Sequence, residues 1–214
     1  NNGRSLYFGM QNASRESLAL TGGTLSTGGG LMRTAGSGAD VQVSMNLAGG
    51  TFEVRGPSDR NVGLNGAGEK PIAVEISGDL TVNVEDPDCT LTFDVPVEGA
   101  IGQVVKLGAG ELVFEDLSEL DLENKIDLDL RAGLLSFEDG GMTFGRIDFT
   151  GTAKLGLEFK GTQNADALYV NGRQSGMGVY GTTGRRPGRH IGRNILMGWQ
   201  MLIGFLFITL LGAL

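Results

Sequence analysis

The sequence predicts an all-β fold, a right-handed parallel β-helix (solenoid), on three observations. Short runs alternate apolar and polar residues with period two, which makes strands with one buried face. Glycine, at 37 of 214 residues, interrupts these runs where the backbone must turn, and it reaches turn conformations that other residues resist. The same strand–glycine–strand unit then recurs every roughly 20 to 30 residues, the spacing of stacked coils.

Residues 1–40 carry the weakest pattern: Leu18-Ala19-Leu20, Thr21-Gly22-Gly23 and Leu25 form one unit, with loops at Gly28–Gly30 and Gly36–Gly38. From there Val41, Val43, Met45 and Leu47 are expected inside, followed by an Ala48-Gly49-Gly50 turn and by Phe52 and Val54. Gly56–Lys70, rich in Gly and Asn and carrying Pro57, reads as an excursion from the coil. The next unit is Ile72, Val74, Ile76, a Ser77-Gly78-Asp79 turn, then Leu80, Val82, Val84. Val105 and Leu107 are then expected inside, with Gly108-Ala109-Gly110 leading to Leu112 and Phe114. Ile126, Leu128 and Leu130 precede Arg131-Ala132-Gly133, Leu135 and Phe137. Ile147, Phe149, Gly151, Leu155, Leu157 and Phe159 close the series. Turns near residues 23, 50, 78, 109, 133 and 151, taken as one per coil, predict six or seven coils. At ~4.8 Å per coil that is a rod about 30 Å long. An antiparallel sandwich or open barrel also accommodates short strands with frequent turns. The paired units and the scarcity of Asn-Gly and Asp-Gly hairpin turns favour the solenoid.

Charge divides the chain. All 25 acidic residues lie at or before Asp166, while 13 of the 17 Lys and Arg precede residue 185, so the body carries −12 and the tail +4. An acidic body repels nucleic acid and anionic membrane surfaces, which excludes nucleic acid as an expected partner. Cys89 is the only cysteine, so no intrachain disulfide forms and the redox compartment is not encoded. The chain opens on Asn1 amid patterned sequence and is expected to be a fragment or a processed form.

Three segments follow: a β-helical repeat domain over 1–184, a basic linker over 185–194, and a hydrophobic segment over 195–214. Ile195–Leu214 carries no charge; as a helix it is ~30 Å long and predicts a transmembrane span. Trp199 lies where an interfacial ring belongs. Arg185, Arg186, Arg189 and Arg193 favour a cytoplasmic side before the span, whereas an exported solenoid needs that side outside. A frameshifted or otherwise atypical end from about residue 185 reconciles the two, and sequencing the gene across those codons tests it.

Candidate chemistry is sparse. Asp127 and Asp129 flank Leu128 and share an outer face, as Asp121 and Glu123 do around Leu122. Paired carboxylates of this kind hold calcium or act as acid and base, but a solvated acidic face that protects a rod is the favoured reading. Glu85-Asp86-Pro87-Asp88 is expected to be an ordinary acidic turn, since it lacks the EF-hand spacing. Gly63–Lys70 misses the phosphate loop because Glu69 stands where Lys is needed. His190, the single histidine, assembles no catalytic triad and no zinc site. Cys89 is expected to be a small buried or half-buried hydrophobe, and Asn12-Ala13-Ser14 is a chance match to a glycosylation acceptor. No catalytic, metal or cofactor residue is therefore assigned.

Two stretches carry a resemblance. Gly102–Phe114, with Lys106, Gly108, Gly110, Leu112 and Phe114 in the pattern Lys-x-Gly-x-Gly followed by an alternating strand, resembles the bacterial autotransporter-associated β-strand repeat; Glu111 stands where that repeat often has Thr. Ala167–Gly181 is similar to the closing segment of secreted proteins with such repeats, through Leu168, Val170, Gly172, Gly178, Tyr180 and Gly181. After Gly184 the chain departs from that pattern. The resemblance implies a non-enzymatic passenger on a bacterial cell surface, in the outer membrane or extracellular, with no catalytic residues to carry over. Its expected role is adhesion or matrix interaction, with extracellular matrix, a host surface or polysaccharide as partner and the membrane engaged through 195–214. The alternative is a β-helical polysaccharide lyase or glycosidase. A third class, a phage or capsule-binding fibre, predicts a stable trimer.

Overall fold

The computed structural model describes residues 5–8, 15–34, 42–65, 72–95, 97–98, 102–115, 125–138, 143–157 and 161–182. Among them there is no helix, and the strands wind a parallel β-solenoid of about five turns.

Two long strands show how a coil is made. β2 (Arg15–Thr27) and β4 (Gln42–Val54) each turn a corner at glycine: Gly23 has φ 71° and Gly50 has φ 84°. The first half of β4 pairs with β6 (Ala73–Ile76), and its second half with β7 (Leu80–Val84). The early coils therefore have three strands each, on three faces. The first face stacks residues 15–20, residues 42–47, β6 and β9 (Val97–Glu98). The second face continues from β7 through β10 (Gln103–Leu107), β12 (Asp127–Leu130), β14 (Thr143–Phe149) and β16 (Gly161–Val170), all parallel. The third face is a seven-stranded sheet: β1 (Leu6–Phe8), β3 (Leu31–Thr34), β5 (Arg60–Asn65), β8 (Thr90–Phe93), β11 (Glu111–Phe114), β13 (Leu134–Phe137) and β15 (Lys154–Leu157). Among the described residues the first face ends at β9, and the later coils are described on the second and third faces. β17 (Arg173–Thr182) returns antiparallel on β16 through an Asn171-Gly172 turn, both residues at positive φ. That hairpin closes the second face.

Inward positions form one core, from Leu20 and Leu31 to Leu155 and Leu168. Val43, Met45, Leu47, Phe52, Val54, Ile72, Val74, Ile76, Leu80, Val82 and Val84 are all buried, as their alternation predicts. In-register stacking turns one inward column of the third face aromatic. Phe93 stacks on Phe114 at 5.2 Å and Phe114 on Phe137 at 6.2 Å; Phe52 and Phe144 extend this line at its ends.

Three expectations are corrected. The six sequence turns do not mark one corner: Gly23, Gly50 and Gly78 lie at the corner between the first and second faces. Gly108, Gly133 and Gly151 lie at the corner between the second and third. Both corners need close backbone approach and so read alike in the sequence, and the solenoid has about five turns rather than six or seven coils. Gly56–Lys70 is not wholly an excursion, because its Arg60–Asn65 is β5, paired on both sides by β3 and β8. Val62 is buried there, flanked by Asn61 and Gly63, which gives too short an alternation to read. In β10 the faces are reversed: Val104 and Lys106 point inward, and Val105 and Leu107 are half-buried on the outside. The registers Val104↔Leu80 and Lys106↔Val82 fix this, since Leu80 and Val82 are core residues. Val41, Gly36–Gly38, Phe159 and the 185–214 tail lie outside the described residues. No helix among the described residues is long and apolar enough to cross a membrane.

Candidate functional site

The second face presents an ordered outer surface. Because parallel strands stack in register, outward side chains line up rung by rung. One column runs Thr24, Thr51, Thr81, Val105, Asp129, Asp148, Tyr169. Beside it run Ser26, Glu53, Asn83 and Leu107. On the other flank Gln103, Asp127 and Arg146 follow one another.

Hydrogen bonds join these rungs. Asn83 Nδ2 donates to Glu53 Oε2 at 3.2 Å, and Arg55 Nη2 lies 2.6 Å from Glu53 Oε1. The Ser26 hydroxyl, with Arg55 and Asn83 adding to it, holds the Glu53 carboxyl below its ordinary range. Further along, Arg131 grips Asp129 Oδ2 through Nε at 2.9 Å and Nη2 at 2.7 Å. Arg146 donates to Asp148 Oδ2 at 2.5 Å and lies 4.0 Å over the Tyr169 ring. Both guanidinium groups are held above their ordinary range, chiefly by these carboxylate hydrogen bonds.

Asp127 and Asp129 share the outer face, as their spacing predicts, and each is already engaged. Asp127 Oδ1 accepts the backbone N–H of Arg146 at 2.7 Å, and Asp129 is bound by Arg131. Among the described residues no group of three or more His, Cys, Asp and Glu is placed to hold a metal ion. Glu85–Asp88 is a tight turn: the Asp88 N–H bonds Asp86 Oδ1 at 3.0 Å, and the Cys89 N–H bonds Asp86 O at 3.1 Å. Cys89 is buried, its thiol donating to Ser58 O at 3.2 Å. Burial pushes that thiol up from its usual value. Gly63–Asn65 belongs to β5; Gly66–Lys70, Asp121, Glu123, His190 and Asn12 lie outside the described residues.

Two charged side chains point inward, Arg33 on β3 and Lys106 on β10. Period-two reading missed both, because it assigns a face by apolarity and places a long cation outside. For Lys106 a signal existed. Val104 at i−2 continues an inward series, and the glycine turn that follows brings the Leu107 and Gly108 carbonyl groups within reach of an ammonium.

The fold defines the chain as a parallel β-solenoid with a hairpin-closed second face. Comparison with known protein families, with curated proteins and with solved structures finds no match.

Proposed function

We propose that the chain is a non-enzymatic β-solenoid displayed on a bacterial surface or secreted, similar to an autotransporter passenger, and that it works in adhesion or extracellular matrix interaction. The observation that carries this reading is the outer surface of the second face. Seven in-register rungs, polar except at Val105 and Leu107 and linked between coils by Asn83–Glu53, Arg146–Asp127 and Arg146–Tyr169, make an ordered platform. A repeated ligand such as a polysaccharide or matrix polymer meets such a platform at many weak contacts at once, and avidity multiplies them. Right-handed winding belongs to the proposal, since right-twisted strands joined by parallel crossovers favour that hand. Export, and anchorage through 195–214, complete it.

The test is a panel of immobilised polysaccharides and matrix proteins, read for binding and for depolymerisation, with and without calcium. The expected result is binding without turnover, weakened by Thr51→Arg or Thr81→Arg on the platform. Depolymerisation that disappears in Asp127→Asn or Asp129→Asn overturns the reading in favour of a lyase or glycosidase.

A further inference from the structure

Lys106 is fully buried, and its ammonium spans two coils. Nζ donates to Leu107 O at 2.6 Å and Gly108 O at 3.1 Å on its own coil, and reaches Ala132 O at 3.5 Å on the next. Room for it depends on Gly133. With φ 70°, that residue keeps a bare Cα where a Cβ would run into Gly108 O, Gly110 O and Nζ itself. The position is a seam between two coils, where β10 pairs with β12 and β11 with β13.

We infer that Lys106 is a proton-sensitive joint, coupling the turn of one coil to the turn of the next, so that protonation sets how tightly the two coils close on each other. The inference is independent of the adhesive reading. Two titratable groups face the ammonium. Glu111, at the start of β11, favours the charged form, as does Cys89 from the coil beneath, while Arg131 of the next coil is turned outward onto Asp129. Burial outweighs the first two and brings Lys106 down from 10.5 to about 8. A lysine that opens to solvent returns to its ordinary value, so between about 8 and 10.5 the open form binds more protons than the closed one. Closing therefore strengthens as pH rises through that window. Below it the joint carries the full penalty of a buried charge.

The experiment is amide hydrogen exchange on the full chain, corrected for intrinsic rate, at pH 7.5 and 9.5. It follows the Arg131 and Leu134 amides, which bond Lys106 O and Gly110 O across the seam. Their opening constant is expected to fall about twentyfold over that interval by proton linkage, while the Arg55 amide, bonded to Thr27 O far from the seam, stays level. Lys106→Met should abolish the fall. Should that variant not fold, Lys106→Arg, charged throughout, should also be flat. An NMR titration of the Lys106 Cε in the unmodified chain gives a direct readout. Titration near 10.5, a fall retained in either variant, or an equal fall at Arg55 overturns the inference.

Discussion

Glu115 stands between two other carboxylates at one corner of the rod. The backbone N–H groups of Asp94, Glu115 and Glu138 bond Val62 O, Phe93 O and Phe114 O in turn, so the three residues occupy equivalent places on successive coils. Partial burial, then Glu138, then Asp94, hold the Glu115 carboxyl above its ordinary value. A carboxyl raised in the folded state stabilises the fold at low pH, and that contribution is lost as pH rises through its folded value. Glu115→Gln should thus unfold at higher urea than the parent at pH 7, by less than about 1 kcal/mol because solvent screens an exposed group. The two should converge below pH 4, and urea titrations at both pH values check this. Like Lys106, Glu115 was illegible in the sequence. Alternation gives the period of a strand but not its phase when both faces carry aliphatic residues, as Val104/Lys106 and Val105/Leu107 do. Nor does it tell which distant carboxylates a coil will stack.

Corners are where elements explain themselves. Three aspartates repeat one device: Asp59 Oδ1 accepts the N–H of Thr90 at 3.0 Å, Asp79 Oδ1 that of Gln103 at 3.0 Å, and Asp127 Oδ1 that of Arg146. Each satisfies a backbone donor on the next coil, at the first residue of β8 for Asp59 and of β10 for Asp79 and within β14 for Asp127, much as an N-cap does for a helix. Part of the acidity that looks like a solvated face is therefore structural. Asp79→Ala should cost about 1 kcal/mol, the usual loss of a capping side chain, and Asp79→Asn less, since an amide oxygen still accepts. Glycine corners give the companion test. Gly133→Ala meets two carbonyl oxygens at positive φ and should cost upward of about 2 kcal/mol. Gly22→Ala, with open space at its Cβ position, should stay within about 0.5 kcal/mol. Chemical denaturation of the four variants ranks them. The sequence located Gly23, Gly50, Gly108, Gly133 and Gly151 well, because tight turns demand glycine wherever they occur. It could not sort them into two corners, because the demand is the same at both.

At the scale of the molecule, a solenoid is held by nearest neighbours: each coil touches only the one before and the one after. The architecture was legible because that repetition writes the same alternation many times over. The division of the early coils into three faces was not, because their first and second faces meet at glycines inside one uninterrupted alternation. Phe114 contacts Phe93 on one side and Phe137 on the other. Phe114→Ala removes both ring contacts and leaves a cavity, a loss of about 3–5 kcal/mol for a buried aromatic side chain. In a globular core that loss would be shared by the whole domain. Here it falls on one link of a chain of links, so the coils on either side should come apart in their unfolding. Among the described residues the block after Phe114, β12–β17, has fewer strands than the block before it and should open first. Hydrogen exchange along a urea series is expected to show their amides losing protection well below the urea at which β4, β7 and β8 do, whereas in the parent the two groups lose it together. A single shared transition in Phe114→Ala, merely shifted to lower urea, would show that the rod couples over more than one coil and that the aromatic column is not its weakest link.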